Sequence, residues 1–354
     1  MSECLSEVMS VGKILRWGIA GCGSVAHVHA LALKEIENVR LIACFDKLGE
    51  GARNFGSKFN IKWFDNLNDF LSEPLDVVSI CTPSGVRKSI ALESMKKGIH
   101  VITEKPMEAT LEAIDEMIEA AKENHCVLGC IFQTRFGEAE QKLREVVDSG
   151  ILGELVLAEA DVLWFRSKDY YASSKWRGTW KFDGGGALMN QAIHTIDLML
   201  WYMGPVKRVF GISKTLSHSI EVEDTAVAVL EFANGSLGNI KATTSVAPGF
   251  PRKLGIYGTK GSAELIGESL VVYGSKGTER KLLVKGETVA TASNPAGFSH
   301  ENHKRQFLDF IQAIQRGTRP KIDGYEGRKA VELIFSIYES SSKGIVVELQ
   351  GASS

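Results

Sequence analysis

The residues best suited to chemistry are a lysine and a histidine in separate segments. Lys105 stands in the triplet Glu104-Lys105-Pro106, directly after an apolar, strand-like run. In an open parallel sheet, groups just past the carboxyl ends of the strands face the ligand crevice. There Lys105 can transfer a proton if its pKa is lowered, or it can stabilise an alkoxide as a fixed cation. A surface lysine at a turn is the alternative interpretation.

The histidine is His194, which follows a run of three glycines, Gly184-Gly185-Gly186. The pattern predicts a helix from about Ala187 to Met203, with Asn190 and His194 one turn apart on the same face. Imidazole titrates near neutrality, so His194 can move a hydroxyl proton while a hydride leaves the same carbon. A core or capping histidine is the alternative.

A glycine-rich turn closes the first strand-like run and opens a helical pattern. Its sequence has the form G-x-G-x-x-A and consists of Gly21, Cys22, Gly23, Ser24, Val25 and Ala26. Gly21 permits the tight turn, Gly23 lets the backbone approach a pyrophosphate, and Ala26 allows close packing of helix on strand. The phosphate charge then lies at a helix N-terminus. A turn in some other doubly wound fold is the alternative.

The second strand-like run ends at Asp46, about 20 residues after Ala26. Its carboxylate can accept hydrogen bonds from ribose hydroxyls and would repel a 2′-phosphate, which favours NAD over NADP. The positive charges of Lys47 and Arg53 can weaken that preference for NAD. The alternative interpretation of Asp46 is a solvated acid in a loop. The strand-like run that ends at Cys81 leads into a turn that should also border the cofactor, together with Glu104 and Lys105. That turn consists of Thr82, Pro83 and Ser84.

The order of elements predicts an α/β fold in two domains. Strand-like runs alternate with amphipathic helical patterns up to residue 133, which indicates a Rossmann-type parallel sheet with right-handed crossovers. The strand-like runs are Ile14–Ala20, Arg40–Phe45, Asp76–Cys81, His100–Thr103 and Val127–Phe132, and a helix is predicted over Thr110–His125 with Thr110 as N-cap.

Residues 134–354 have a different pattern, which predicts an α+β domain with a large, open, mostly antiparallel sheet. The signals are strand-like from Val206 to about Val289, with a hairpin turn at Asn234-Gly235. Helices are predicted over Ala139–Asp148, His303–Gln315 and Glu326–Ser340, and a final strand over Ile345–Leu349. The expected domains are therefore 1–133 for the dinucleotide and 134–354 for substrate and oligomerisation.

Composition narrows the class of partner. With 41 Lys and Arg against 43 Asp and Glu, the formal charge of −2 gives no basic field for nucleic acid or an anionic membrane. No stretch reaches the roughly 18 apolar residues of a membrane span, and we expect a cytoplasmic protein with a small ligand. The six cysteines include no CxxC pair, so we expect buried thiols and no metal site.

Together these segments resemble the glucose-fructose oxidoreductase, inositol dehydrogenase and rhizopine catabolism (Gfo/Idh/MocA) family over nearly the whole chain. The matching segments are Gly21–Ala26, Thr82–Ser84, Glu104–Pro106, Gly184–His194 and the helix near Asp323-Gly324. The resemblance implies a Lys105 and His194 catalytic pair, a cis Lys105-Pro106 peptide, and a homodimer or homotetramer formed through the C-terminal sheet.

The chain departs from that family at two positions. Asn190 stands where the family helix carries Asp four residues before the histidine, so an Asp-assisted role for His194 is in doubt. Arg87 stands where many members of the family have a histidine after the Thr-Pro turn. An arginine at this position favours an anionic group in the substrate or a structural ion pair. The segment from Tyr170 to Trp180 resembles a subgroup loop near the nicotinamide, which adds Trp176 and Arg177 to the cofactor residues. Tyr171 and Asn190 join Lys105 and His194 as substrate residues, with a structural brace as the alternative for the loop aromatics.

Three functions follow from this pattern. The first is hydride transfer between NAD and a secondary alcohol of a sugar, inositol or nucleotide-sugar. The second is an NAD-dependent glycosidase, which oxidises a sugar transiently and shows no net cofactor turnover. The third is a non-catalytic dinucleotide-binding sensor. The presence of both Lys105 and His194 argues against this third function.

Overall fold

The N-terminal half forms a six-stranded sheet in which every neighbouring pair of strands is parallel. The computed structural model describes residues 14–274, 280–285 and 299–349. The strand order β3-β2-β1-β4-β5-β6 is that of a Rossmann sheet, which confirms the predicted fold class. The strands are β1 Leu15–Ala20, β2 Val39–Phe45, β3 Lys62–Phe64, β4 Val77–Ile80, β5 His100–Thr103 and β6 Leu128–Cys130.

Helices connect these strands, and α5 shows why they form where they do. The hydroxyl of Thr110 accepts a hydrogen bond of 3.2 Å from the amide of Ala113, as its predicted N-cap role requires. Ile114, Met117 and Ile118 then fall on one buried face. The helices are α1 Ser24–Lys34, α2 Gly49–Phe59, α3 Leu67–Phe70, α4 Arg87–Lys96 and α5 Leu111–Glu123, with 3-10 turns at Ser84–Val86 and Gln133–Phe136.

The second half is built on a nine-stranded sheet of order β14-β13-β12-β11-β7-β10-β9-β8-β15. Only β7 and β10 pair in parallel among its described strands, so the sheet is mostly antiparallel, as predicted. The strands are β7 Leu155–Leu163, β8 Val206–Lys214, β9 Thr225–Phe232, β10 Leu237–Thr243, β11 Lys253–Gly258, β12 Gly261–Ile266, β13 Ser269–Gly274, β14 Arg280–Val284 and β15 Val347–Glu348.

The sequence analysis missed two strands, the short edge strand β3 and the longer β7, which lies inside the second sheet. Strand β7 shows why such a strand is missed. Its buried residues alternate as Ala158, Ala160 and Val162. Alanine has low strand propensity, so this alternation gives a weak signal in the sequence. The Asn234-Gly235 hairpin joins β9 and β10 as predicted, the final strand is shorter than predicted, and Val289 lies outside the described residues.

The helix predicted over Ala187–Met203 is two structures in sequence. A π-helical segment over Ala187–Ala192 comes first, and α9 follows. The start of the π-helical segment is crowded, because a Cβ on Gly186 would lie 1.7 Å from the backbone oxygen of Glu223. The Glu223 carboxylate accepts bonds of 2.9 and 2.8 Å from the amides of Gly186 and Leu188. The helices of this half are α6 Glu138–Asp148, α7 Lys168–Ala172, α8 Trp180–Asp183, α9 Ile193–Met203, α10 Glu301–Arg316 and α11 Gly324–Lys343.

Helix α10 returns to the first sheet although it lies late in the chain. Its Phe307 packs edge-on against Trp17 of β1, with ring centroids 5.5 Å apart, and both side chains are fully buried. The division into residues 1–133 and 134–354 stays a prediction. The described cysteines are free thiols, three of them buried, and Cys4 lies outside the described residues. In the described part of the chain, no helix is long and apolar enough to cross a membrane.

Candidate active site

The glycine-rich turn leaves a helix N-terminus open for an anion. Gly21 has a φ of +93°, and a Cβ there would lie 2.7 Å from the amide nitrogen of Thr82, so only glycine fits. Helix α1 begins at Ser24 with no side-chain cap and no acidic residue in its first turn. A Cβ on Gly23 would meet nothing within 4 Å. Free amides beside open space suit the pyrophosphate of a dinucleotide.

Asp46 lies beside this turn, at the end of β2. Its Oδ2 accepts a bond of 2.8 Å from the amide of Cys22, and Oδ1 accepts one of 2.9 Å from the amide of Leu48. Ala26 is buried against the sheet, whereas Val25 is partly exposed. Arg53 stacks over the Trp63 ring at 5.1 Å. The structure therefore brings the predicted carboxylate next to the predicted phosphate-binding turn.

The turn after β4 is held by a buried arginine. Arg87 Nε donates to the carbonyl oxygen of Thr82 at 2.9 Å, and Nη1 donates to that of Glu104 at 2.6 Å and to that of Pro106. This arrangement corrects the expectation for Arg87, because its contacts are backbone oxygens rather than a substrate anion or an ion pair. Pro83 precedes the 3-10 turn in which Ser84 is buried. The Thr82 hydroxyl is buried without a described partner.

Lys105 lies where the two halves meet. Its Nζ donates a hydrogen bond of 2.7 Å to the backbone oxygen of Asn190, in the π-helical segment. The Lys105-Pro106 peptide is cis, as the family resemblance implies. Burial lowers the pKa of Lys105, which increases the share of neutral amine at moderate pH. The lysine is therefore suited to accepting a proton.

His194 is the second residue of α9, which follows the π-helical segment directly. The edge of its ring packs against Phe132 at a centroid distance of 5.7 Å. Burial and the positive charge of Lys105 lower the pKa of His194 well below its ordinary range, so the imidazole is neutral. Its Nδ1 is buried without a described partner. The predicted pair thus lies at one site, linked electrostatically.

Glu104 points away from this pair, into the protein. Its Oε1 lies 2.9 Å from Nε2 of His29 and 3.6 Å from Nε2 of His303, and all three side chains are buried. The bond of 2.9 Å joins His29 and Glu104 directly, so we interpret the group as a hydrogen-bonded cluster. Oε2 of Glu104 also accepts from the amide of Lys105 at 3.1 Å. The carboxylate therefore supports the turn that carries the lysine, and the expected absence of a metal site stays a prediction.

The aromatic loop forms one wall of a cavity of about 580 Å³. Tyr171 contributes to this wall and shares a hydrogen bond of 2.8 Å with Thr244. The Arg177 guanidinium stacks over Tyr170 at 4.6 Å and over Trp176 at 5.1 Å. The Tyr170 and Trp176 rings therefore hold the guanidinium of Arg177 in place. Arg177 and Tyr171 both line the cavity.

The sequence analysis missed Asp183, the last residue of α8. Its side chain is only 3% exposed, and Oδ1 accepts a bond of 2.7 Å from the side-chain amide of Asn190. Oδ2 accepts a bond of 2.9 Å from the amide of Gly178. Burial raises the pKa of Asp183 to about 6. Its only sequence signal was its position directly before the three glycines.

Comparison with known proteins also indicates a dinucleotide-binding oxidoreductase. A family model described as an oxidoreductase family with an NAD-binding Rossmann fold matches residues 15–132, and the GFO/IDH/MocA C-terminal domain matches residues 141–264. The chain is 25% identical to the myo-inositol 2-dehydrogenase of Thermotoga maritima, covering 95% of this chain and 99% of that protein. It is 28% identical to the D-glucoside 3-dehydrogenase of Escherichia coli, with coverage of 95% and 97%.

A solved structure extends this likeness to the fold. The WlbA dehydrogenase of Bordetella pertussis, in complex with NADH and UDP-GlcNAcA, is 29% identical and superposes with a TM-score of 0.83. The match covers 96% of this chain and 99% of that one. The glycine turn, the open helix N-terminus and the family model over residues 15–132 agree on the cofactor, which is NAD. The chain therefore belongs to the GFO/IDH/MocA family and is an NAD-dependent oxidoreductase acting on a CH–OH group.

Proposed function

We propose that this protein oxidises a secondary hydroxyl of an anionic nucleotide-sugar, with Lys105 and His194 at the reacting carbon. The observation that carries the chemistry is the position of Lys105, a lysine of lowered pKa held against Asn190 and acting electrostatically on a neutral histidine. NAD, when bound, supplies the acceptor for the hydride. The pyrophosphate would lie on the amides that follow Gly23, and the ribose would lie near Asp46.

The proton is handled by the chain itself. The neutral Lys105 amine accepts the hydroxyl proton, and the neutral His194 imidazole hydrogen-bonds the same oxygen and orients it. The resulting ammonium is stabilised by nearby Glu104 and Asp183, which both favour its charged form. Because only neutral Lys105 accepts a proton, oxidation should rise with pH through the pKa of that lysine.

The charge of the cavity supports an anionic substrate. Lys168 and Arg177 contribute positive charges to its wall, and Glu221 is the one carboxylate among the described lining residues. The Glu221 carboxylate accepts a bond of 3.1 Å from the amide of Trp180. Gly178 lines the same cavity and donates its amide to Asp183, which joins the cavity to the catalytic site. Lysine and arginine are the usual ligands of carboxylate and phosphate groups.

The test is anaerobic incubation of the purified protein with NAD and matched substrates, following NADH absorbance and analysing products. UDP-GlcNAcA should give NADH and a keto-product. UDP-GlcNAc, which lacks the carboxylate, and neutral inositols should be poorer by at least about tenfold in kcat/KM, the effect of one charged hydrogen bond. Equal or better turnover of neutral sugars would contradict the anionic substrate. Cleavage without net NADH would favour the glycosidase, and no reaction would favour the sensor.

We also propose that a second copy of the chain covers the outer face of the C-terminal sheet. Phe210 pairs with Val229 and Ile212 with Val227 across β8 and β9, and these four side chains are 37 to 56% exposed. A contiguous apolar patch of this kind is typical of an interface. Helices α9 and α11 pack on the sheet from the other side. The copy should complete a homodimer, or a homotetramer by a second interface.

The cytoplasm is the proposed location, because buried free thiols such as Cys44, Cys81 and Cys130 suit a reducing compartment. Cell fractionation with an antibody to the protein tests this expectation. Recovery in an extracytoplasmic fraction would contradict it.

A further inference from the structure

The buried carboxylate of Asp183 is separated from Lys105 by a single residue in the hydrogen-bond network, Asn190. Asn190 connects them: its side-chain amide donates to Asp183 at 2.7 Å, and its backbone oxygen accepts from Lys105 Nζ at 2.7 Å. The first bond fixes the side chain of Asn190, and the second fixes the amine. Asp183 is therefore positioned to act on Lys105 in two ways, through Asn190 and through its own charge.

We propose that Asp183 is the positioning residue of Lys105, holding the amine in place through Asn190 and supplying the buried carboxylate on that side of the amine. Asn190 cannot supply that charge, because an amide does not ionise in this pH range. The proposal rests on the proposed function in one respect, namely that Lys105 accepts the substrate proton.

The charges around Lys105 show why one carboxylate matters. Burial and the Arg87 guanidinium favour the neutral amine, whereas the carboxylates of Glu104 and Asp183 favour the ammonium. The neutral imidazole of His194 also lies close enough to be affected by the lysine. Glu104 is already hydrogen-bonded to His29, so Asp183 is the carboxylate on the cavity side.

The sign of the effect follows from the proton transfer. The hydroxyl proton passes to the neutral Lys105 amine, and the ammonium later releases it to water. Asp183 stabilises the ammonium, so it raises the pKa of Lys105 against the effect of burial. Because the pKa of Asp183 itself is about 6, the carboxylate is charged under assay at pH 8. Removing it should shift the pH at which Lys105 becomes neutral to a lower value.

The experiment compares D183N, the exchange D183N/N190D and the control D169N. Asp169 is an exposed aspartate of the same loop, in α7. The first readout needs neither NAD nor substrate: acetic anhydride labels neutral amines, and mass spectrometry of the Lys105 peptide against pH gives the labelling midpoint. The second readout is kcat and KM against pH with the best substrate. Thermal melting checks the fold, and D183S is the substitute if D183N does not fold, since serine accepts from Asn190 without charge.

In D183N the Lys105 labelling midpoint should move to lower pH, so more of the amine is neutral at pH 8. Even so, kcat at pH 8 should fall about 10- to 100-fold, because the amine is held less firmly and the ammonium that it forms is less stabilised, while KM should stay within about threefold. D183N/N190D should restore most of kcat and move the midpoint back up. In this variant the amide stands at position 183 and the carboxylate at position 190, so the two groups can still form a hydrogen bond and the negative charge is kept. D169N should match wild type. An unchanged midpoint in a folded D183N would overturn the proposal. If wild type oxidises no sugar, the proposed function fails, and the labelling midpoint still decides the role of Asp183.

Discussion

Arg87 donates a hydrogen bond of 2.6 Å from Nη1 to the backbone oxygen of Glu104, and this bond joins the turns after two neighbouring strands. The same guanidinium binds the carbonyl oxygen of Thr82, at the end of the adjoining strand β4. A buried cation thus takes the place of the missing backbone partners in a part of the sheet that is predicted to border the cofactor.

Arg87→Met should lower the free energy of unfolding by about 3 kcal/mol, because three buried carbonyl oxygens lose their donor. Urea unfolding followed by circular dichroism measures this loss. The control is Lys88→Met, which removes an exposed pair with Glu116 and should change the free energy by less than about 1 kcal/mol. Equal stability of the two variants would show that water replaces the guanidinium.

Lys105→Met should reduce kcat by about 10² to 10⁴, the usual contribution of a proton-transfer group, and leave NADH affinity within about threefold. Stopped-flow turnover and NADH fluorescence titration measure the two quantities. Lys97→Met, at an exposed position after α4, should match wild type in both. Turnover by Lys105→Met at the wild-type rate would remove the lysine from the mechanism.

Asp46→Ala should erode the preference for NAD over NADP by about 10- to 100-fold, since a charged hydrogen-bond acceptor and a repulsion are both lost. The measurement is the ratio of dissociation constants for NADH and NADPH. Asp69→Ala, an exposed aspartate of α3, should keep the wild-type ratio. An unchanged ratio in Asp46→Ala means that another group selects the cofactor.

His194→Gln should reduce the sensitivity of the fold to acid. The pKa of folded His194 lies well below its ordinary value, so the unfolded chain takes up a proton at this residue first as the pH falls. Its contribution to stability is therefore complete above about pH 6.5 and falls by up to roughly 1.4 kcal/mol per pH unit below it. Urea unfolding at pH 7.5 and pH 5 should show a smaller loss in His194→Gln than in wild type. A loss of the same size would indicate that folded His194 titrates normally.

Val229→Lys should dissociate the oligomer, because it places a charge in the middle of the apolar sheet face. Multi-angle light scattering should give the mass of a dimer or tetramer for wild type and of a monomer for the variant. Leu308→Lys alters an exposed leucine of α10 and should keep the wild-type mass. A monomeric wild type would contradict the proposed interface.

Local patterns in the sequence were enough for the parts of the fold that depend on neighbouring residues. The glycine turn, the Thr110 cap and the Asn234-Gly235 hairpin each follow from backbone rules that act over a few residues. Strand β7 escaped because its alanines carry little strand propensity and its pairing partners are distant in the chain. The π-helical segment escaped because Glu223, which binds its first amides, lies more than 30 residues away.

The sequence by itself was enough to predict the family and the cofactor and to single out Lys105 and His194 as candidates, because motif chemistry resides in residue types and spacing. Only the tertiary structure decided what those residues contact. In the folded chain Glu104 is hydrogen-bonded to the buried His29, Arg87 donates to backbone oxygens, and Asp183 accepts a hydrogen bond from Asn190. These contacts depend on burial and on distances between separate elements, and spacing along the chain does not encode either quantity directly.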